Sequence, residues 1–152
     1  MRRSILARHL GAVVYGTSRD ETTRQAALAA GAVEVFDSAA DGWPRCEVVV
    51  ESVGPATWDR SIGALAPGGR LVVCGGTSGP VVEVNLPRLF FKQHEIIGST
   101  MGGYGEFAAV TRLVADGLPV AVDREFGIDE YPAALERLAA GAHVGKIVLR
   151  HP

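Results

Sequence analysis

The sequence predicts an α/β fold with a doubly wound parallel sheet. Short apolar runs alternate with amphipathic helical segments over most of the 152 residues, and turns that contain glycine or proline separate them. The run from Val48 to Val50 is continuously apolar, which is typical of a strand that is covered on both faces. Strands that alternate with helices in this order form parallel sheets with right-handed crossovers.

The helices are predicted from their ends and from apolar spacing. Asp20 is a preferred N-cap residue, and Gly31 is a preferred residue just beyond a helix. Trp58, Ile62 and Leu65 recur with the spacing of one helix face. The predicted helices are residues 2–10, 20–30, 55–66 (ended by Pro67-Gly68-Gly69), 87–93 and 105–116.

The predicted strands follow the apolar runs between these helices. They are residues 13–17, 33–36, 47–51, 70–74 and 95–100. Beyond Gly117-Leu118-Pro119 the pattern changes to an extended stretch, a helix and a second extended stretch, at residues 121–126, 129–140 and 145–150. We therefore expect a truncated dinucleotide-binding domain at residues 1–118 and a C-terminal α/β segment at residues 119–152.

The start of the chain predicts an incomplete sheet. In a doubly wound dinucleotide-binding fold, the first strand ends in a glycine-rich loop that holds the pyrophosphate, and the second strand ends beside the adenosine ribose. Residues 13–17 correspond to the second strand, and only a helical segment precedes them. We expect the fold to lack its first strand and glycine-rich loop. Since that strand is central, we expect a fragment whose exposed sheet edges cause instability, aggregation or homo-oligomerisation.

Composition excludes several functional classes. The chain has 15 basic and 17 acidic residues, a net charge of −2 and no long basic run, so a nucleic acid partner is not expected. No apolar run has the length of a membrane span, and Arg8 and His9 interrupt the first one, so no export signal is predicted. Cys46 and Cys74 are isolated on apolar runs, and we expect reduced core thiols in a cytoplasmic protein.

Five phrases in the sequence carry a family resemblance. They are Glu51-Ser52-Val53-Gly54, Leu65-Ala66-Pro67-Gly68-Gly69-Arg70-Leu71-Val72, Gly75-Gly76-Thr77-Ser78-Gly79, Ile97-Gly98-Ser99-Thr100-Met101-Gly102 and Gly145-Lys146-Ile147-Val148-Leu149. In this order and spacing they resemble the cofactor half of the medium-chain dehydrogenase/reductase superfamily, of the zinc-binding alcohol dehydrogenase or quinone oxidoreductase type. The resemblance implies a Rossmann-type sheet and oxidoreductase activity, with residues 119–152 packing on a catalytic domain outside this chain.

The end of the second strand of this family selects the cofactor, because an acidic side chain there binds the ribose 2′-hydroxyl and repels a 2′-phosphate. This sequence has Thr17, Ser18 and Arg19 at that place. Two hydroxyls and a guanidinium suit a dianionic phosphate, so NADPH is favoured over NADH. Thr23 stands where relatives often carry a second cation, and Arg24 is the candidate that could replace it.

Further cofactor contacts are expected at the carboxyl ends of the later strands, where ligands of open α/β sheets bind. The resemblance implies that these candidates are Val53, Gly54, Gly75, Gly76, Thr77, Ser99 and Thr100, with Lys146 as a phosphate contact. For the glycines, plain turn formation is the alternative. For Lys146, an exposed residue at the start of a strand is the alternative.

A rival phrase lies later in the chain. Residues 103–108 satisfy G-x-G-x-x-A between a strand and a helix, with Asp123 about twenty residues further on, as an NAD fingerprint requires. Too little chain follows this phrase to build a nucleotide-binding half, and the upstream strands would be unexplained. It stays as the minor alternative, with Asp123 as its ribose ligand.

The sequence predicts no catalytic residue and no metal ligand. Hydride transfer needs a group that stabilises the developing oxyanion, and in the resembled family the substrate pocket comes mainly from another domain. The four histidines are scattered, and Tyr104 is an isolated hydroxyl donor. We expect an NADPH-dependent oxidoreductase acting on a quinone, enone, aldehyde or alcohol, inactive as this chain alone. The alternatives are a non-enzymatic nucleotide-binding or interaction module and, from Pro67-Gly68-Gly69 alone, a methyltransferase-like domain.

Overall fold

The computed structural model describes residues 2–141 and 143–152, in which helices and strands alternate. The helices are α1 (Arg2–His9), α2 (Glu21–Ala29), α3 (Trp58–Gly63), α4 (Leu86–Phe91), α5 (Tyr104–Ala115) and α6 (Tyr131–Ala139), with a 3-10 helix at Ile128–Glu130. The strands are β1 (Tyr15–Ser18), β2 (Glu34–Asp37), β3 (Cys46–Glu51), β4 (Leu65–Val73), β5 (Glu95–Gly98), β6 (Val122–Gly127) and β7 (Lys146–Arg150).

The strands form three small sheets in the described residues. Their orders are β1-β2, β3-β4-β5 and β6-β7. Pairing is parallel throughout the β3-β4-β5 sheet and between β6 and β7. Because α3 connects β3 to β4 and α4 connects β4 to β5, the predicted α/β class with parallel strands is confirmed.

The chain divides into two compact units. The central unit is Asp37–Gly103 and carries the β3-β4-β5 sheet, and the terminal unit combines Met1–Phe36 with Tyr104–Pro152. The predicted domain boundary between residues 118 and 119 stays a prediction. Within the described ranges, no helix is long and apolar enough to cross a lipid bilayer.

The start of β4 differs from the sequence prediction. Cys46 pairs with Leu65, and Val48 pairs with Arg70, so β4 carries three more residues than β3 over this interval. These residues bulge out at Pro67 to Gly69, where Gly68 has a φ of +73°. The predicted helix at residues 55–66 was therefore too long: α3 ends at Gly63, and the Pro-Gly-Gly turn lies inside the β4 segment.

The core of the central unit lies on one face of its sheet. Trp58, Leu65 and Leu71 are buried together there, with Val49 packed against them. On the opposite face Val48 and Val50 are 53% and 44% exposed, so the prediction that β3 is covered on both faces was wrong for this chain. The two thiols also differ from the prediction, because Cys46 is half-buried and Cys74 is exposed.

The ends of α2 agree with the prediction. The Asp20 carboxylate accepts a hydrogen bond from Thr23 N–H at 2.8 Å, which caps the first turn. Gly31 follows the helix with a φ of +94° and donates to Leu28 O at 2.8 Å. Asp20 also donates its N–H to the Ser18 hydroxyl, so the cap of α2 is connected to the end of β1.

Candidate functional site

The central unit brings the predicted residues of three strands to one edge of its sheet. Glu51 is opposite Val73, and Val73 is opposite Gly98, so β3, β4 and β5 end in register. The pairing continues one residue further, with Cys74 N–H donating to Glu51 O at 2.9 Å and Ser99 N–H to Val73 O at 2.8 Å. We call this edge, made of residues 52–54, 74–79 and 99–100, the central edge. It contains Val53, Gly54, Gly75, Gly76, Thr77, Ser99 and Thr100.

Hydroxyl groups join the loop after β4 to the loop after β3. Thr77 Oγ1 donates to Ser52 O at 2.9 Å. Ser78 Oγ donates to Val53 O at 2.7 Å and accepts from Ala56 N–H at 3.1 Å. Since the Thr77 proton is used within the protein, this hydroxyl can contact a ligand as an acceptor. The two loops therefore form one preorganised element.

Three predicted glycines lie where these loops touch. A Cβ on Gly54 would lie 2.8 Å from Gly79 O, and a Cβ on Gly76 would lie 2.7 Å from the same oxygen. A Cβ on Gly75 would lie 3.0 Å from Ser52 O. Gly54 also has a φ of +90°, which other residues rarely adopt. Contact between the loops therefore requires these glycines independently of any ligand.

A cleft opens beside the glycines in the central unit. Its volume is about 370 Å³, at the lower end of the size range of ligand pockets. It is lined by Gly54, Trp58, Val73, Gly75, Gly76, Gly79, Pro80 and Val82. Backbone and apolar surface dominate this lining, which suits a planar ring that binds by close contact.

A buried carboxylate for which the sequence predicts no role supports the loop after β3. Glu51 is 3% exposed, and its Oε1 accepts from Val53 N–H at 2.6 Å and Gly54 N–H at 3.2 Å. Burial raises the pKa of Glu51, but hydrogen bonds from Ser61, Val53, Thr57 and Gly54 outweigh burial and hold the pKa below its ordinary value. The carboxyl group is therefore charged at neutral pH. The sequence signal that could have indicated this role is an acidic residue at the end of an apolar strand.

In the terminal unit, the predicted Thr17 and Ser18 end β1, and Arg19 follows directly. Thr17 and Arg19 are exposed and Ser18 is half-buried. The Ser18 hydroxyl accepts from Asp20 N–H at 3.2 Å, so its proton can still be donated to another oxygen. We call Thr17, Ser18 and Arg19 together the β1 end.

A second guanidinium lies at the β1 end. Arg24 donates to Ser18 O at 2.9 Å, while Thr23 is used in the cap of α2. Arg24 also pairs with Glu21 at 2.6 Å, and Gln25 donates to the other Glu21 oxygen at 2.7 Å. Hydrogen bonds from Gln25 and Arg24 lower the pKa of Glu21. An anion that approaches Arg24 therefore competes with a charged carboxylate.

Lys146 lies at the amino end of β7 in the terminal unit. It is exposed, and its N–H donates to Ala121 O at 2.9 Å. The preceding Gly145 has a φ of +110°, and a Cβ there would lie 2.6 Å from Ala121 O. This position differs from the other candidates, because ligands of parallel sheets bind at the carboxyl ends of strands. Its contact with a phosphate stays a prediction.

In the structure, Asp123, the acidic residue of the rival fingerprint, is engaged by other groups of the protein. The Asp123 side chain is 8% exposed, and it pairs with Arg137 through two contacts. It also accepts from Val144 N–H at 2.9 Å. Hydrogen bonds from Arg137 and Val144 lower the pKa of Asp123 to about 2. These contacts tie β6, α6 and the approach to β7, so Asp123 has a structural role and a ribose is not its partner in this conformation.

Zinc does not fit the side chains that the structure describes. Across residues 2–141 and 143–152, no three His, Cys, Asp or Glu side chains approach closely enough to hold a metal ion. Such a site needs three or four converging ligands.

Comparison with known proteins places these features in a family. The profile of the zinc-binding dehydrogenase family matches residues 5–116. A quinone oxidoreductase of Pseudomonas aeruginosa is 31% identical over an alignment that covers 94% of this chain and 50% of that protein.

Solved structures agree with the sequence matches. The crystal structure of AibC has 31% identity and a TM-score of 0.86, with 99% of this chain and 45% of that chain covered. A thermostable alcohol dehydrogenase from Pyrobaculum aerophilum has 33% identity and a TM-score of 0.78, with 95% and 45% covered. The chain thus spans about half the length of each of these relatives.

Proposed function

Because the chain belongs to the zinc-binding dehydrogenase family of the medium-chain dehydrogenase/reductase superfamily, we propose that it is the cofactor-binding part of an NADPH-dependent oxidoreductase. The observation that supports this proposal most is the central edge, where three strands end in register beside a glycine-lined cleft. When bound, the dinucleotide supplies or accepts the hydride. The chain's own residues bind and orient it.

The central edge would bind the part of the cofactor that NADPH and NADH share. The cleft between the loops after β3 and β4 is lined by Gly54, Gly75 and Gly76, so a planar ring can approach the backbone closely. Val53, Thr77, Ser99 and Thr100 belong to the same edge of the sheet, and they would add backbone and hydroxyl groups to the proposed site. Such a preorganised edge loses little conformational freedom on binding, which favours affinity.

The β1 end would select the 2′-phosphate. Arg19 is exposed and forms no ion pair within residues 2–141 and 143–152, so its guanidinium can take a phosphate bidentately. Thr17 and Ser18 add hydroxyl groups, and Arg24 adds a second positive charge at Ser18 O. The Glu21 carboxylate opposes this attraction.

We place the substrate pocket and the reacting side chains outside the residues described. The chain aligns with half of the P. aeruginosa quinone oxidoreductase, and a region like the other half would supply the catalytic residues. The substrate classes that we propose are quinones, enones, aldehydes and alcohols. Turnover is expected only when a catalytic domain is supplied.

The sheet edges also favour self-association in the isolated chain. Within the described residues, β1 pairs with β2 alone and β3 pairs with β4 alone, so each has an open edge. We propose that the isolated chain aggregates or dimerises by edge pairing. A cooperative thermal transition together with a monomer mass by light scattering would overturn this proposal.

Calorimetric titration of the chain tests the proposed function. NADPH, NADH and 2′-phospho-ADP-ribose are added in turn to wild type and to Arg19→Gln, with Arg112→Gln on α5 as the control for loss of an exposed arginine. We expect Arg19→Gln to weaken binding of both 2′-phosphorylated ligands by about tenfold, since it removes a charge-assisted contact. NADH binding should not change. Wild type that binds neither dinucleotide would overturn the proposal, and binding of S-adenosylmethionine would favour the methyltransferase alternative.

A second experiment separates an enzyme part from a non-enzymatic binding module. The half of a quinone oxidoreductase relative that this chain does not cover is supplied with the chain and with NADPH, and quinone reduction is followed by loss of NADPH absorbance. Turnover supports the oxidoreductase assignment. Tight NADPH binding without any turnover would contradict it and favour the binding module.

A further inference from the structure

We propose that Glu51 is a positioning residue of the cofactor cleft. Its carboxylate holds the backbone of Val53 and Gly54 in the conformation against which the loop after β4 packs. The inference deepens the proposed function and rests on it for the identity of the ligand. Glu51 would touch no ligand itself, and it would set the geometry of the residues that do. The geometry itself stands on the contacts of the central unit.

The carboxylate is enclosed by donors from two sides. Val53 and Gly54 donate their backbone N–H groups to Oε1. Thr57 donates to Oε2 at 2.9 Å, and Ser61 donates to the same oxygen. A carboxylate has about four acceptor sites, so these donors fill them. Thr57 and Ser61 are themselves 8% and 3% exposed, which makes this a buried polar cluster within the central unit.

The two oxygens have different tasks. Oε2 is anchored to Ser61 on α3 and to Thr57 just before it, behind the cleft. Oε1 reaches forward to the turn at Val53 and Gly54. The carboxylate therefore links α3 to the loop that borders the cleft, so the position of the loop depends on the position of α3. A buried charge is tolerated here because its hydrogen bonds are complete.

The turn at Val53 and Gly54 is closely packed on both sides. Gly54 O accepts from Thr57 N–H and Trp58 N–H, both at 3.0 Å, which starts α3 and places Trp58 on the cleft wall. On its other side, the Cβ position of Gly54 is 2.8 Å from Gly79 O. A small rotation of the turn would therefore change the contact between the loops and the width of the cleft.

This assignment predicts a pattern that a purely stabilising residue would not give. Glu51 acts on the part of the site that binds the groups common to NADPH and NADH. Its loss should therefore weaken the binding of both dinucleotides by the same factor. A residue that only stabilises the fold would lower the melting temperature and leave the affinity of the folded chain unchanged. A residue that selects the 2′-phosphate would change the ratio of the two affinities.

The test compares Glu51→Leu with Glu51→Gln in the full chain. Leucine leaves Val53 and Gly54 N–H without an acceptor, whereas glutamine can keep its oxygen toward them while the hydroxyls of Thr57 and Ser61 accept from its amide. Both dinucleotides are titrated well below the unfolding transition, and hydrogen exchange at Val53 and Gly54 is followed by NMR. Glu47→Leu is the matched control, because Glu47 is an exposed glutamate of the same strand, and its cofactor affinity and exchange rates should equal those of wild type.

We expect Glu51→Leu to weaken both cofactors by about tenfold, with faster exchange at Val53 and Gly54, because buried amides lose their acceptor. Glu51→Gln should restore binding and slow exchange. If Glu51→Leu does not fold, Glu51→Asp replaces it, since its shorter side chain pulls the oxygens back from the turn. Wild-type affinity in the folded Leu or Asp variant would overturn the Glu51 assignment alone. Wild type that binds neither dinucleotide would overturn the proposed function, and the Glu51 assignment with it.

Discussion

The central edge and the β1 end present their binding groups in opposite ways. At the central edge the groups are mainly backbone, held by Glu51 from below and by Ser78 from the facing loop. At the β1 end they are side chains, with Arg19 exposed, Ser18 half-buried and Arg24 shared between Ser18 O and Glu21. Packing fixes the first arrangement, and surface charge fixes the second. Substitutions should therefore change affinity and stability together at the central edge, and selectivity alone at the β1 end.

The largest effect is expected for Gly54→Ala. The new Cβ would lie 2.8 Å from Gly79 O, and the residue would have to keep a φ of +90°. We expect a loss of about 3 kcal/mol in the free energy of unfolding, because backbone must move to relieve the contact. Chemical denaturation measures this change. Gly98→Ala is the matched control, since its Cβ would meet nothing within 4 Å. Equal stability of the two variants would refute the close packing of the loops.

A pH effect is expected for the ion pair of Asp123 and Arg137. The pKa of Asp123 is lowered from 3.8 to about 2, so the pair stabilises the fold above pH 3.8 and this contribution is lost as the pH falls through 2. Asp123→Asn should therefore reduce stability at pH 6 and remove part of the decline between pH 4 and 2. Thermal unfolding followed by circular dichroism checks this, with exposed Asp116→Asn as control. An unchanged acid profile in Asp123→Asn would contradict the assigned role.

The smallest effect is expected for Glu21→Gln at the β1 end. Removing this carboxylate breaks the ion pair with Arg24 at 2.6 Å and removes a negative charge close to the proposed phosphate. We expect NADPH to bind about threefold more tightly, because the pair is partly exposed and screened by solvent. NADH binding and the melting temperature should hold steady. Glu136→Gln on α6 is the control for loss of an acidic residue. Equal tightening of NADH would place Glu21 outside the 2′-phosphate site.

Much of the fold follows from local sequence signals. The cap at Asp20 and the stop at Gly31 depend on residues three positions apart in the chain, and the structure contains both. The alternation of strands and helices, together with the ends of the apolar runs, predicts which residues gather at the central edge. Such features depend on residues a few positions away, and they can therefore be predicted from a single sequence.

Features that depend on tertiary packing were not predicted. The burial of β3 on one face depends on which helices cover the sheet, and the apolar run at Val48 to Val50 carries no information on that. The role of Glu51 depends on four donors that converge only after α3 has folded back on β3. The bulge before Arg70 depends on the register with β3, so Pro67-Gly68-Gly69 looked like the end of a helix.

Hydrogen exchange with mass spectrometry, with and without each dinucleotide, tests the comparison most directly. NADPH and NADH should both protect the central edge, at residues 52–54, 74–79 and 99–100. Protection at residues 17–24 should be stronger with NADPH, because the added 2′-phosphate is bound there by side chains. Equal protection of residues 17–24 by both cofactors, or protection that avoids the central edge, would contradict the division between a shared backbone site and a selective charged one.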